Sequence, residues 1–242
     1  FEYEKISLKA TELWERSFPL EAARGNIYDA NMEILASNLP TMSVVVIPFQ
    51  VKDKEQCAQK LAKILNADYE KILAKISKSV SIERLSPEGR QISEEQAKAI
   101  TNLKMDGVYV VQDSKRYYPF NELLAPSLGF VGIDNQGLAG IEGKYDDYLK
   151  GKNGSLNYKI DAKGGLMNGF ISRIESPVSG LSLQLTVDLK IQEIVERELT
   201  NAYAKYKPDS IMALAMNPNN GDILAISNRP TYNPNEYQNA TQ

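Results

Sequence analysis

The sequence predicts an α+β protein in two parts: an elongated N-terminal module with a helical insert, and a second part that opens with a helix and a β-hairpin. Three observations predict this class. Residues 51–101 are rich in Lys, Glu and Ala with apolar residues at helical spacing, the segments around them have strand and turn signals, and strands and helices do not alternate as a parallel sheet requires. The 242 residues are 43% apolar, which is enough to bury sizeable cores. We expect the boundary near residues 177–180, between a module of residues 1–178 and a second part of residues 179–242.

The first 50 residues are predicted to form a helix followed by strands. Pro19 ends a helical apolar pattern that consists of Tyr3, Ile6, Ala10, Leu13 and Trp14. Residues 27–28 and 34–35 flank a polar stretch as the strands of a short hairpin do. Residues 42–46 form a β-branched run typical of a separate strand, and Pro40 lies between it and the hairpin.

The insert of residues 51–101 is predicted to contain several helices. Cys57 lies in a helical pattern with Leu61 and Leu65, so we expect it to be core filler rather than a functional thiol. Ser93 followed three residues later by Gln96 matches a capping box, which predicts that the last helix of the insert starts at Glu94. Residues 108–111 then return to a strand pattern.

The remainder is predicted to be short elements followed by one long helix and a hairpin. Residues 141–149 have a short helical pattern, residues 158–160 a weak strand signal, and residues 164–180 the composition of a loop. Residues 181–187 alternate as a strand, and Asp188 is a suitable N-cap for the helix that follows. The predicted apolar face of that helix consists of Ile191, Ile194, Val195, Leu199, Ala202, Tyr203 and Tyr206. The strands of the final hairpin are residues 211–216 and 223–227, joined by an Asn- and Gly-rich turn.

Three segments of the chain contain Arg, Gly and acidic residues at a spacing that carries a family resemblance. Residues 24–36 read R-G-N-I-Y-D-A-N-M-E-I-L-A, which resembles the motif R-G-x-I-x-D-R-N-G-x-x-L-A of the class B penicillin-binding proteins. Ala30 therefore replaces an arginine, and Met32 replaces a glycine in a turn that favours positive φ, so this turn must be bent differently or strained. Residues 116–119 read R-Y-Y-P and lead into L-G-F-V-G. Residues 137–154 read G-L-A-G-I-E-G-K-Y-D-D-Y-L-K-G-K-N-G, which is the most specific match.

The resemblance covers most of the chain outside the insert. D-A-K-G at residues 161–164 also fits the family, and residues 185–235 resemble the opening of its transpeptidase domain. The chain is thus identified as a member of the class B penicillin-binding proteins. The amino-acid sequences of residues 49–55 and 131–142 are most similar to those of the sporulation-type and penicillin-binding protein 2-type members of spore-forming Gram-positive bacteria.

The resemblance implies a membrane-anchored, extracytoplasmic enzyme of cell-wall or spore-cortex synthesis, in which a non-catalytic pedestal carries a D,D-transpeptidase domain. The family acylates the serine of an S-x-x-K motif, and the chain contains no such motif. We therefore expect a chain without catalytic residues that ends before the serine-bearing segment. Ser155-Leu156-Asn157 and Lys163-Gly164-Gly165 imitate later family motifs, but they precede the transpeptidase region and are interpreted as chance. The implied partners are the transpeptidase domain itself, the membrane through an upstream anchor, and wall-assembly proteins such as a membrane glycosyltransferase.

The candidate site residues are architectural ones taken from the three motifs: Arg24, Gly25, Asp29, Arg116, Pro119, Gly137, Gly140 and Glu142. An arginine side chain is a planar fork that can hold a carboxylate with two hydrogen bonds. We therefore expect one or both arginines to pair with Glu142 or Asp29 where the pedestal meets the transpeptidase region. The alternative is that these are separate surface residues beside glycine turns.

Composition excludes several other functions. The chain has no histidine, so a Ser-His-Asp triad is excluded and neither a metal nor a cofactor is expected. The net charge of −3 and the absence of a basic stripe argue against nucleic acid. The longest apolar stretch, residues 42–49, is far shorter than the roughly 20 residues that cross a bilayer. Adjacent Asp146 and Asp147 point to different helix faces and are expected to be solvated. A stand-alone scaffold or regulator of wall assembly remains the alternative to a part of an enzyme.

Overall fold

The computed structural model describes residues 15–80, 82–160 and 166–239, and within them the chain forms two compact units. The first unit consists of Pro40–Ser114 with the described parts of Phe1–Glu21 and Lys152–Val178. The second consists of Ala22–Leu39, Lys115–Gly151 and the described part of Ser179–Gln242. Helices and strands are mixed along the chain, so the predicted α+β class is confirmed. One break between the units, after Val178, falls in the predicted boundary region; its meaning as the end of a pedestal stays a prediction.

The helical insert belongs to the first unit and was predicted correctly. Its elements are α1 (Lys54–Leu65), α2 (Tyr69–Ile76), β4 (Glu83–Arg84) and α3 (Glu94–Asn102). The capping box is present as predicted, because the Ser93 hydroxyl accepts from the Gln96 amide at 3.2 Å and the Gln96 side chain accepts from the Ser93 amide at 3.0 Å. Cys57 is buried in the core that these helices form with β-branched and leucine side chains.

A three-stranded antiparallel sheet also lies in the first unit, in the order β1-β6-β7. Its strands are β1 (Glu15–Leu20), β6 (Gly154–Ile160) and β7 (Leu166–Glu175). The prediction of a loop over residues 164–180 is therefore wrong for β7. That segment contains an internal Asn-Gly pair, which lowers its strand propensity, but its ladder with β6 supplies the hydrogen bonds that decide its conformation. The apolar residues of the predicted opening helix, from Tyr3 to Trp14, and the D-A-K-G match lie outside the described residues. That helix was expected to continue to Pro19, and this part of the prediction is wrong, because β1 pairs with β6 there.

The strands of the second unit centre on the first motif. The strand β2 (Ile27–Tyr28) pairs antiparallel with β3 (Ile34–Val46) and parallel with β8 (Leu183–Gln184). The hairpin prediction is confirmed, but β3 is one continuous strand that runs through Pro40. An exposed proline is compatible with extended backbone where its missing N–H is not needed. The predicted strand over residues 181–187 is reduced to the two residues of β8.

Short elements around the second and third motifs complete the part of this unit that precedes β8. The strand β5 (Val108–Tyr117) pairs with β3 and supplies residues to both units. The helical pattern of residues 141–149 is two short helices that are separated at Tyr145. These follow another short helix, and the three are α4 (Ala125–Leu128), α5 (Gly140–Lys144) and α6 (Asp146–Leu149). The buried core of the unit consists of Ile27, Leu35, Ala36, Tyr118, Leu124, Leu128, Leu149 and Val187.

The long helix and the final hairpin were both predicted. They are α7 (Leu189–Tyr206), β9 (Ile211–Met216) and β10 (Ile223–Arg229), followed by a 3₁₀ helix (Pro234–Asn239). The Asp188 carboxylate caps α7 by accepting from the amides of residues 190 and 191. The predicted apolar face is partly wrong, because Ile194 is 52% exposed and Tyr206 70% exposed, whereas Gln192 and Glu196 are buried. Their polar groups find partners on β10, which the periodicity of α7 cannot reveal.

Candidate functional site

A buried cluster of charges in the second unit joins the three motifs. Glu142 is fully buried, and each of its carboxylate oxygens accepts a hydrogen bond from a different arginine. The Arg24 Nε atom lies 2.7 Å from Oε2, and the Arg116 Nε atom lies 2.6 Å from Oε1. Both arginines therefore pair with Glu142, and neither pairs with Asp29. We call Arg24, Arg116, Glu142 and Asp146 the ionic cluster.

Arg24 uses the rest of its guanidinium within the same region. Its Nη1 donates to the Asp146 carboxylate at 2.6 Å and to the Asn135 carbonyl at 3.0 Å, and its Nη2 donates to the Glu142 carbonyl at 2.9 Å. The Arg24 carbonyl accepts from the Asn38 side chain at 2.5 Å. The side chain of Arg24 has no exposed surface. Because it bonds Glu142 in α5 and Asp146 in α6, Arg24 holds these two helices from inside the unit.

Arg116 binds the first motif as well as the third. Its Nη1 donates to the Gly25 carbonyl at 2.8 Å and to the Asn38 side chain at 3.2 Å. Its Nη2 is buried without a hydrogen-bond partner among the described residues. Since buried cations are costly without compensation, the burial of Arg116 depends on Glu142.

Glycines allow the segments to approach closely enough for these bonds. A Cβ atom on Gly25 would lie 1.9 Å from the Leu181 carbonyl oxygen, and one on Gly137 would lie 2.0 Å from the Glu142 carbonyl oxygen. Gly140 begins α5 at a φ of +57°, which a residue with a side chain adopts only with strain. Pro119 lies in the turn after β5, next to Tyr118, and outside the ionic cluster.

Asp29 has a different role from the one predicted for it. Its Oδ1 accepts from the amides of Asn31 and Glu33 at 2.7 and 2.8 Å, which closes the β2–β3 turn. Its Oδ2 accepts from the amide of Leu189 at 3.1 Å, in the first turn of α7. A carboxylate at a helix N-terminus is stabilising, so Asp29 connects the first motif to the start of α7.

The turn closed by Asp29 is strained, as one of the two predicted outcomes required. Met32 adopts a φ of +68°, the left-handed region, at the position where the family has glycine. Met32 is 57% exposed, so burial of its side chain offsets little of the strain.

The expectation that Asp146 is solvated is wrong, whereas for Asp147 the expectation is confirmed. The Asp147 side chain is 88% exposed, but that of Asp146 is 22% exposed and accepts from Arg24 and from the Gly137 amide, the latter at 2.7 Å. Burial by itself raises the pKa of Asp146, but the hydrogen bonds from Arg24 and Gly137 outweigh it and hold this pKa below its ordinary value. Asp146 therefore remains a carboxylate, and together with Glu142 it balances the positive charges of Arg24 and Arg116.

Tyr118 lies at the edge of the ionic cluster. Its hydroxyl donates to Glu142 Oε1 at 3.4 Å, and its side chain is buried. Burial, and then the neighbouring Glu142 charge, raise the pKa of Tyr118 far above its ordinary value, so the phenol stays protonated and can act only as a donor to the carboxylate.

This arrangement holds segments together and contains no reactive group of its own. Two cationic side chains face two carboxylates, and the carboxylates accept hydrogen bonds from the arginines, the Gly137 amide and the Tyr118 hydroxyl. Among the described residues, no group of three or more His, Cys, Asp or Glu side chains is placed to hold a metal ion. Within the same residues, no helix combines the length and apolar character needed to cross a membrane.

In this mixed α+β chain the three sequence motifs converge on one buried, charge-balanced cluster. A family model described as "Penicillin-binding Protein dimerisation domain" matches residues 19–185. The chain belongs to this family, as the motifs predicted.

Relatives agree with this assignment. Stage V sporulation protein D of Bacillus subtilis (strain 168) is 48% identical over 235 residues, which are 97% of this chain and 36% of that protein. Peptidoglycan D,D-transpeptidase FtsI of Escherichia coli (strain K12) is 32% identical over 227 residues, 89% of this chain and 37% of that protein. The chain thus spans little more than a third of the length of these relatives. The predicted likeness to sporulation-type members is confirmed.

A solved structure has the same fold over most of the chain. It is penicillin-binding protein PBP2 of Helicobacter pylori in complex with MreC, with a TM-score of 0.69 and 25% identity, covering 92% of this chain and 44% of that one.

Sequence reasoning missed a second buried network around α7. Glu196 accepts from Arg229 at 2.5 Å, from the Leu124 amide at 3.1 Å and from Gln192 at 2.9 Å. Gln192 also bonds both backbone groups of Ile226, at 2.8 and 2.9 Å. The available signal was a pair of polar residues four apart on a helix, which a surface position produces equally well.

Proposed function

We propose that this chain is the non-catalytic pedestal of a peptidoglycan D,D-transpeptidase, together with the first helix and hairpin of the transpeptidase domain. On this proposal, residues 1–178 are the pedestal and residues 179–242 begin the catalytic domain. The observation that carries the proposal is the ionic cluster. It joins the three family motifs, and its four side chains do not include a serine, threonine or cysteine. The name of the E. coli relative, a peptidoglycan D,D-transpeptidase, supports the activity of the whole protein.

The pedestal would work by rigid positioning. The two arginines hold the first, second and third motifs as one body, because releasing any of them would leave a buried charge unpaired. The bond from the Leu189 amide to Asp29 extends that body to the first turn of α7. A transpeptidase domain that grows from α7 and the β9–β10 hairpin would then sit at a fixed place on its support.

The setting of the whole protein is part of the proposal. An anchor upstream of the chain would hold the protein at the outer face of the cell membrane, where peptidoglycan is made. The protein would act with wall-assembly partners, including a membrane glycosyltransferase that polymerises glycan. The complex of H. pylori PBP2 with MreC supports a partner of the wall-assembly kind, since PBP2 is similar to this chain.

Covalent labelling with a fluorescent penicillin tests the catalytic part of the proposal. The 242-residue chain should remain unlabelled, and the product of the whole gene should be labelled at a serine followed three residues later by lysine. Labelling of the short chain would refute the claim that it lacks the nucleophile. A whole product that is never labelled would favour the scaffold function instead.

Co-purification tests the partner. The tagged whole protein and the tagged 242-residue chain should both retain the membrane glycosyltransferase from detergent extracts of cells, and a tagged transpeptidase domain without residues 1–178 should not. Retention by the transpeptidase domain alone would contradict a pedestal role in binding.

A further inference from the structure

The segment after the last strand folds back onto the second motif. Asn235 is the centre of the contact, because its side chain bonds both backbone groups of Tyr118. The Tyr118 amide donates to Asn235 Oδ1 at 3.0 Å, and Asn235 Nδ2 donates to the Tyr118 carbonyl at 2.9 Å. A carboxamide that satisfies one N–H and one C=O of the same residue acts as an added piece of backbone.

Other contacts of residues 231–237 support this attachment. Phe130 stacks on the Tyr237 ring at 4.4 Å between centroids and meets the Tyr232 ring edge-on at 6.0 Å. The Tyr232 hydroxyl donates to the Ala125 carbonyl at 3.2 Å. Burial raises the pKa of Tyr232, so this hydroxyl keeps its proton. Pro234, next to Asn235 in the chain, is buried. The segment is therefore held at several points by polar and aromatic interactions.

Tyr118 connects this attachment to the ionic cluster. Its backbone is held by Asn235, and its hydroxyl donates to the same Glu142 oxygen that accepts from Arg116. Tyr118 directly follows β5, whose ladder ends at Tyr117, so the strand does not supply the bond that its amide needs. The acceptor for the Tyr118 amide is therefore supplied by a residue 117 positions away.

We propose that Asn235 is a positioning residue: it latches residues 231–237 to the Tyr118 backbone and, through the Tyr118 hydroxyl, couples that segment to the Glu142 carboxylate of the ionic cluster. The segment and the cluster then loosen together rather than separately. This inference is independent of the proposed transpeptidase function, since it concerns contacts within the chain and is tested without any activity.

Amide hydrogen exchange measured by NMR on the intact chain tests the coupling. Asn235→Ala should accelerate exchange of the Tyr118 amide by about tenfold or more, because that amide loses its acceptor. It should also accelerate exchange of the Gly137 amide, which is bonded to Asp146 in the cluster, by about threefold or more. Gln238→Ala, at an exposed position of the same segment, is the matched control and should change neither amide.

Tyr118→Phe separates coupling from general loosening, because it removes the hydroxyl and keeps the ring. In the Tyr118→Phe background, Asn235→Ala should no longer affect the Gly137 amide. Should that effect persist, or should Asn235→Ala leave Gly137 unchanged in the first place, the proposal is overturned. If Asn235→Ala does not fold, Asn235→Asp replaces it, since aspartate keeps the acceptor for the Tyr118 amide and removes the donor to its carbonyl. The exchange rate of the Gly137 amide, compared with and without Tyr118→Phe, then decides.

Discussion

Replacement of Glu142 is the most direct perturbation of the ionic cluster. Each carboxylate oxygen serves a different arginine, at 2.7 and 2.6 Å, and both arginine side chains are almost fully buried. Glu142→Ala removes both bonds and leaves the cluster with one carboxylate for two cations. Arg116 is affected most, because its remaining acceptors are the uncharged Gly25 carbonyl and Asn38 side chain.

The expected magnitude follows from this geometry. Breaking a buried ion pair by removing one partner costs about 3–5 kcal/mol, so Glu142→Ala should lower the free energy of unfolding by about 4 kcal/mol. Glu142→Gln should also be costly, by about 2 kcal/mol or more, because the amide NH₂ must replace one of the two oxygens and would face an arginine donor. The isosteric variant is thus a test of charge and donor pattern rather than of packing.

Urea unfolding followed by far-ultraviolet circular dichroism measures the effect. With a slope of about 2 kcal/mol per molar urea, the midpoint of the Glu142→Ala variant should fall by about 2 M. Asp147→Asn is the matched control, since that carboxylate lies in the adjacent helix and is exposed, and its midpoint should not change. Glu142→Gln combined with Arg116→Gln should recover part of the loss, because no unpaired cation is then buried. If Glu142→Ala and Glu142→Gln both unfold within about 1 kcal/mol of the wild type, the ionic cluster does not stabilise the unit and the reasoning fails.

Three further predictions concern the β2–β3 turn, the loss of stability at low pH and the thiol of Cys57. Met32→Gly should raise the free energy of unfolding by about 1 kcal/mol, because glycine removes the strain of a positive φ at an exposed position. The pKa values of Asp113 and Asp146 lie below the ordinary 3.8, because hydrogen bonds, from Arg90 and Ser43 to Asp113 and from Arg24 to Asp146, outweigh burial. Their stabilisation is therefore complete above pH 5 and is lost as the pH falls through the folded pKa values, which a series of urea midpoints down to pH 3 measures. Burial raises the pKa of Cys57 to about 11, so a disulfide reagent at pH 8 should modify the native thiol slowly and the urea-unfolded thiol at once.

Each of these predictions has its own control. Met32→Ala keeps the strained φ and should not stabilise; equal stability of the glycine and alanine variants would contradict the strain. Asp146→Asn should make the urea midpoint fall less steeply as the pH is lowered. An unchanged dependence of the midpoint on pH would show that the titration of Asp146 does not contribute. Rapid labelling of native Cys57 would mean that the core around α1 opens readily.

Local signals in the sequence were sufficient for the elements that rest on neighbouring residues. The capping box of Ser93 and Gln96, the Asp188 cap and the β9–β10 hairpin depend on hydrogen bonds within a few residues, and each formed where predicted. Strand pairing is different, because its partners are distant in sequence. The strand β7 was missed for this reason, and the passage of β3 through Pro40 was missed because an exposed strand position tolerates the absent N–H.

The candidate site divides in the same way. The motifs identified Arg24, Arg116 and Glu142, and the chemistry of guanidinium and carboxylate predicted that the arginines pair with Glu142 or Asp29; both pair with Glu142. Two contacts were not predicted: the pairing of Asp146 with Arg24 and the hydrogen bond that Asp29 accepts at the start of α7. Both depend on which backbone amides and arginines the fold brings next to a carboxylate.

The sequence by itself determined the family, the α+β class, the starts of α3 and α7 and the residues that can carry charge into the interior. Tertiary structure alone decided which charges meet: Arg24 reaches Glu142 across 118 positions of sequence, and Asn235 reaches Tyr118 across 117. The physical reason is one of range. A cap or a turn is stabilised by atoms that the local chain already places together, whereas a buried ion pair is stable only after packing has removed water from both partners and brought their atoms into contact.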